Sequence, residues 1–315
     1  MHIDLQSEVL NFENKFNKIY DYIIIGSGPA ATVILNNLIK KNKKILVIER
    51  GSFQKKFGEK LVSNNIKIKK ESRIFGIGGT SNSWSQIYSL LSKNEMCNNK
   101  NFNIWPISYE DLSYWCNKVG PQYNFDIKNL DDIKIFKDNF YSRKFIESNN
   151  PIRFSKYSHK NNFDLITNCK IQTIDESNNQ NLVYFSLRKK IYTINSRKII
   201  ICAGAIESCS LIINSIKEKK LKKIKNKQFI GRYFMDHPKC YVGELKYPKK
   251  KIIDKFKLKF RKKYNSYRGL SIYKKNQKTI NTYVRFEEKR NFLGIYKKTL
   301  VKIFFEMEPK FKNRI

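Results

Sequence analysis

Residues 20–49 read YDYIIIGSGPAATVILNNLIKKNKKILVIE, and this stretch decides the fold. Tyr20–Ile25 is a short apolar run rich in β-branched residues, the pattern of a strand buried on both faces. Gly26-Ser27-Gly28-Pro29-Ala30-Ala31 follows without a spacer. Val33, Ile34, Leu35, Leu38 and Ile39 then recur at helical spacing, and Lys44–Ile48 is a second apolar strand that ends on Glu49. The order is strand, GxGxxA turn, helix, strand, acid: a βαβ dinucleotide-binding unit. Gly26 permits the tight turn out of the first strand, and Gly28 lets a pyrophosphate approach the backbone. Ala31 keeps helix and strand close in place of a third glycine. Pro29 and Ala30 open the helix, whose unpaired N–H groups and positive dipole end face the phosphates.

Glu49 is placed to accept hydrogen bonds from ribose hydroxyls. An acid there favours a free 2′-hydroxyl, hence FAD or NAD over NADP. Glu49-Arg50-Gly51 is commoner after strands that bind FAD, which adds Arg50 to the expected contacts. The expected class is α/β, a Rossmann-like FAD-binding domain; a resemblance to a known family, carried by later residues, implies α+β overall with an incomplete antiparallel-sheet substrate domain.

A second glycine-rich loop runs from Arg73 to Trp84, RIFGIGGTSNSW. Its glycines allow close backbone approach to a ligand, and Thr80, Ser81 and Asn82 supply donors and helix-starting side chains. Further along, Ser108 and Asp111 form a capping-box pair for a helix to Val119. Asn181–Ile194 alternates as a hairpin around Arg188-Lys189-Lys190. Ser196–Cys202 then returns as a buried strand into the turn Ala203-Gly204-Ala205. Beyond Lys239 the pattern is strand-like over residues 240–247, 270–273, 279–286 and 302–308.

Taken together, these landmarks resemble the glucose-methanol-choline (GMC) family of flavin-dependent oxidoreductases. GIGGTSNSW (residues 76–84) is similar to the family's loop along the FAD. WPISYEDL (105–112), IICAGAIES (200–208) and GRYFMDHP (231–238) resemble three further family segments in the same order. The resemblance implies FAD contacts at Gly78, Gly79, Thr80, Ser81, Asn82, Ser83, Trp84, Ala203, Gly204 and Ser208. It also implies an adenine contact at Ile171, in the stretch FDLITNCKIQTI. Some sugar oxidases of the family attach the flavin covalently through a histidine just before this tryptophan. Ser83 stands there, so non-covalent FAD is implied. The implied domains are residues 18–238 for FAD, with inserted loops and helices around 52–160, residues 239–315 for a partial substrate domain, and residues 1–17 as an N-terminal extension.

The implied activity is oxidation of a CH–OH group of an alcohol or sugar with hydride transfer to flavin. In the family a histidine beyond the stretch resembled by residues 304–315 takes the alcohol proton. The histidines here are His2, His159 and His237. His2 reads as part of a polar tail, His159 as a surface loop residue and His237 as a turn residue, so no catalytic residue is assigned. The expectation is a truncated, split or decayed oxidoreductase, inactive alone; the split case implies a separately encoded C-terminal segment as partner.

Two other readings compete. One is a non-catalytic binding protein of dinucleotide fold whose basic surface contacts nucleic acid or anionic membrane. Its support is 63 Lys plus Arg against 27 Asp plus Glu, a net charge of +36. The lysines are spread over nearly every segment among many Asn and Ile, as a compositional bias would leave them, which disfavours nucleic acid. The other is an NAD-dependent dehydrogenase, against which the second glycine loop argues. Six cysteines show no CxxC pair and no metal-ligand spacing, so no metal is expected. There is no secretory signal pattern and no apolar run long enough to span a bilayer; the expected location is cytoplasmic.

Overall fold

The structure is a computed structural model that describes residues 2–4, 18–63, 66–84, 87–91, 96, 106–123, 133–134, 140–148, 152–154, 162–177, 180–187, 190–232, 234, 239–246, 264–272, 281–290 and 296–308. Its strands, in chain order, are β1 (His2–Asp4), β2 (Tyr20–Ile25), β3 (Ile45–Ile48), β4 (Lys56–Phe57), β5 (Leu61–Ser63), β6 (Ile66–Ile68), β7 (Ile74–Phe75), β8 (Ile87–Tyr88), β9 (Ile133–Lys134) and β10 (Phe140–Ser148). They continue as β11 (Asp164–Thr167), β12 (Ile171–Ser177), β13 (Gln180–Leu187), β14 (Lys190–Ile201), β15 (Lys239–Lys246), β16 (Tyr264–Ile272), β17 (Asn281–Arg290) and β18 (Tyr296–Glu308). The α-helices are α1 (Pro29–Ile39), α2 (Tyr109–Val119) and α3 (Gly204–Lys217). Two compact units form, Met1–Trp84 with Ile152–Arg232 and Ser85–Pro151 with Tyr233–Ile315.

The first unit is built on a seven-stranded sheet in the order β1-β11-β3-β2-β14-β13-β12. The pairs from β1 through β14 are parallel, and β14-β13-β12 is an antiparallel meander. The continuous apolar runs of β2 and β3 are explained by burial on both faces. Ile23, Ile25, Leu46 and Ile48 point into one core with Ile166, Val183, Phe185 and Leu211 of α3. Ile24, Ile45 and Val47 point the other way, against Ala31 and Leu35 of α1. The two-residue alternation of a strand therefore feeds both layers. Ala31 is fully buried, as a close contact between helix and strand requires.

β14 is one twelve-residue strand where the sequence reads as a hairpin arm followed by a separate strand. Its first half pairs antiparallel with β13, and Ser196–Ile201 pairs parallel with β2. Nothing at Asn195-Ser196 breaks the extended backbone. β1 lies parallel to the edge of β11, and His2 Nε2 sits 3.1 Å from Thr167 Oγ1 with its ring edge-on to Phe53. His2 thus belongs to an edge strand rather than a tail. A three-residue strand of mixed polarity carries too little pattern to announce itself.

The second unit holds an antiparallel sheet in the order β15-β18-β17-β16-β10-β8, with β9 on β10. The four strands expected past residue 239 are there; β15 has its expected length, and β16, β17 and β18 are longer than expected. β10 joins them from the stretch read as an insertion. The capping box is present: Asp111 N donates to Ser108 Oγ at 2.9 Å and Ser108 N to Asp111 Oδ2 at 3.3 Å. His159, His237, Trp105 and residues 309–315 lie outside the described residues.

The free edge of β12 is closed by α3. Ile174 N donates to the buried Ser215 Oγ at 2.9 Å, and Ser215 Oγ donates to Leu211 O at 2.7 Å. Ser215→Ala leaves a buried amide without its acceptor. It should lower the unfolding free energy by about 2 kcal/mol in urea titration, whereas Ser210→Ala on the same helix should leave it within about 0.5 kcal/mol.

Candidate functional site

Three glycine-rich turns meet at the carboxyl ends of β2, β3 and β14. In open α/β sheets ligands bind at this edge. The first turn, Gly26–Gly28, joins β2 to α1. The second, Gly76–Gly79, follows β7. The third, Cys202–Gly204, joins β14 to α3.

Gly26 is explained by the chain itself. Its φ is +94°, and a Cβ there would lie 2.6 Å from the carbonyl oxygen of Cys202. Gly28, Gly79 and Gly204 are different. A Cβ on Gly28 would find only Cys202 O at 4.0 Å, one on Gly79 only the Cα of Gly28 at 3.8 Å, and one on Gly204 nothing within 4 Å. These three glycines keep side-chain atoms out of a space that the described protein does not fill.

Glu49, at the exit of β3, ties the first two turns together. It is 5% exposed. Its Oε2 accepts from Ser27 N at 3.0 Å and Ser27 Oγ at 2.6 Å, and its Oε1 from Gly51 N at 3.0 Å and Gly76 N at 3.2 Å. Ser27 Oγ in turn accepts from Gly78 N at 3.0 Å. Four neutral donors therefore use the accepting capacity of the carboxylate. A ribose hydroxyl would have to share or displace Ser27 Oγ. Burial pushes the Glu49 carboxyl above the ordinary glutamate range, and the Ser27 hydroxyl with the Gly51, Gly76 and Ser27 amides pulls against that rise.

The other expected contacts fall into groups. Pro29 and Ala30 form the start of α1, with Gly28 as its N-cap. Thr80 Oγ1 accepts from Ile74 N, Ser81 Oγ donates to Gly78 O, Asn82 Nδ2 donates to Ile77 O and Gly79 O, and Ser83 Oγ donates to Thr80 O. These side chains fold back on their own loop and set the shape of its backbone. Trp84 is exposed at the end of the loop. Ala203 is half-buried against the core beside Gly204, and Ser208 lies in the second turn of α3. Ile171 starts β12; the turn before it closes on the β3 exit, with Asn168 N donating to Gly51 O and Cys169 N to Glu49 O. Arg50 pairs with Glu207, and its guanidinium lies 3.9 Å from the centre of the Phe75 ring.

Sequence reasoning passed over Ser27, Gly51, Gly76, Arg73 and Glu207. For Ser27 a signal was present: a short hydroxyl inside the glycine fingerprint. Glu207 also had one, as an acid in a helix first turn. Among the described residues there is no cluster of His, Cys, Asp or Glu able to hold a metal ion, and no helix long and apolar enough to cross a membrane.

The sequence matches no known family model and no curated protein. Among solved structures, pyridoxine 4-oxidase from Mesorbium loti is similar, with a TM-score of 0.50 at 12% identity, over 91% of this chain and 71% of that one. This chain has the fold of pyridoxine 4-oxidase. A fungal aryl-alcohol oxidase gives a TM-score of 0.43 at 13% identity, over 62% of this chain and 48% of that one. A flavoprotein/dehydrogenase from Cytophaga hutchinsonii gives 0.33 at 12%, over 93% and 56%. At those TM-scores the last two add nothing to the fold likeness.

Two outcomes test the role of Glu49. Glu49→Ala leaves several buried donors unsatisfied and should cost roughly 3 kcal/mol in urea titration. The raised carboxyl means the folded state holds this proton more tightly than the unfolded chain. Its contribution to stability is therefore full below the ordinary glutamate range and falls as pH rises through the raised value. Glu49→Gln should remove that part of the pH slope.

Proposed function

We propose that the chain binds FAD non-covalently at the three glycine turns and is the cofactor-holding part of a GMC-type oxidoreductase acting on the CH–OH group of an alcohol or sugar. The observation that supports this most directly is the convergence of Gly28, Gly79 and Gly204, with their Cβ positions open, on the carboxyl edge of a parallel sheet. The residues present fit a dinucleotide. The first-turn amides of α1 would hold the pyrophosphate. Glu49, sharing or releasing Ser27 Oγ, would hold the ribose, and the turn before Ile171 the adenine. The second loop and Gly204 offer backbone without side-chain bulk.

When bound, the flavin supplies the hydride acceptor. The chain supplies orientation. The glycine turns would hold the dinucleotide, and Glu49 and Ser27 tie the first two turns together. Ser83 stands where the flavin-linking histidine of some family members would be, so acid precipitation should release all the yellow colour into the supernatant. No described residue is assigned the alcohol proton, since His2 is held by Thr167 at the sheet edge. Pyridoxine, named for the structural neighbour, belongs to the substrate class proposed.

Gly204→Ala separates a ligand-imposed glycine from a protein-imposed one. With φ at +78° and no atom within 4 Å, the alanine meets only backbone strain, about 1 kcal/mol. Soluble, folded Gly204→Ala protein should therefore lose flavin affinity by about tenfold or more. Equal FAD retention by Gly204→Ala and the wild type would remove the third turn from the site.

A further inference from the structure

Three charged side chains form a cluster between the same three turns. Glu207 lies in the first turn of α3, just past Gly204. Its Oε2 accepts from Arg50 Nη1 at 2.8 Å, and its Oε1 accepts from Arg73 Nη1. Arg50 belongs to the exit of β3, next to Glu49. Arg73 immediately precedes β7, which leads into the second turn. Phe75 of β7 lies under both guanidinium groups, 3.9 Å from Arg50 and 5.7 Å from Arg73. Arg73 Nη2 also donates to Glu59 O at 2.6 Å. Side-chain exposures of 27%, 12% and 25% for Arg50, Arg73 and Glu207 leave the cluster only partly screened by water. Planar guanidinium forks hold direction as well as charge.

We propose that Glu207 is a positioning residue for the dinucleotide: through Arg50 and Arg73 it holds Gly204 and the first turn of α3 in register with the other two turns. This rests on the flavin reading of the site. Its value is that charge and position predict opposite signs. Counted only as a charge, Glu207 opposes a ligand that carries a pyrophosphate. Glu207→Gln would then leave two unopposed arginines in the cluster and tighten binding. Counted as a positioning residue, its loss frees the start of α3 and lets the two guanidinium groups repel, and binding weakens.

The test measures FAD by quenching of flavin fluorescence and ADP by calorimetry, on the wild type, Glu207→Gln and Arg73→Lys, with thermal midpoints taken without ligand. ADP would use the first turn, Glu49 and the turn before Ile171, and not the Gly204 turn. Glu207→Gln should weaken FAD by about tenfold or more while ADP stays within about threefold. Arg73→Lys, which keeps the charge and loses the fork, should do the same. Tighter or unchanged FAD binding in Glu207→Gln overturns the inference. So does an equal loss of FAD and ADP with a lowered midpoint, which marks general loss of structure. If Glu207→Gln does not accumulate as folded protein, Arg73→Lys decides by the same criteria. A wild type that binds ADP but not FAD strikes the flavin reading itself, an outcome distinct from the others.

Discussion

A buried carboxylate holding four donors is the constraint on which the carboxyl edge of the parallel sheet depends. Glu49 is taken out of water at the end of a central strand, and a charge there is tolerated only when its oxygens are satisfied. The donors come from three places in the chain: Ser27 in the first turn, Gly51 at the strand exit and Gly76 in the second turn. Satisfying Glu49 therefore adds polar ties between loops that Ile77 also anchors, packed in one cluster with Ile24, Ala31 and Leu35. Gly51 shows how close they come, since a Cβ on it would lie 2.3 Å from Gly76 N.

Much of this was legible in the sequence, where the information is local. The runs Tyr20–Ile25 and Ile45–Ile48 had to be buried strands because both faces are apolar. Ser108 and Asp111 had to cap a helix because the box is written within four residues. The glycine turns were legible as turns. What the sequence did not show is which side chains hold the turns together. The pairs Ser27–Glu49, Arg50–Glu207 and Arg73–Glu207 join residues far apart in the chain, and no periodicity encodes them. Short edge strands such as β1 and the strand β10 were missed for a related reason: their partners, not their own pattern, make them strands.

The polar residues of the second loop carry a different lesson. Thr80, Ser81, Asn82 and Ser83 looked like donors for a ligand. In the structure their hydrogen bonds run to the loop's own backbone. Their part is to keep Gly78 and Gly79 in an unusual conformation and so leave the backbone bare toward the shared space. The two acids divide the work between them: Glu49 acts inside the sheet edge with neutral partners, and Glu207 acts at its rim with charged ones.

The parallel pairing of β2 with β14 also sets the order in which this unit can be made. β2 and β3 leave the ribosome early, with apolar side chains on both faces and two open edges. The strands that flank them, β11 and β14, are supplied only by Asp164–Thr167 and Ser196–Ile201. For the time needed to synthesise that intervening chain, at about 5–20 residues per second, β2 and β3 lack both strands that will flank them. Translation speed thus sets how long these two apolar strands wait for their partners.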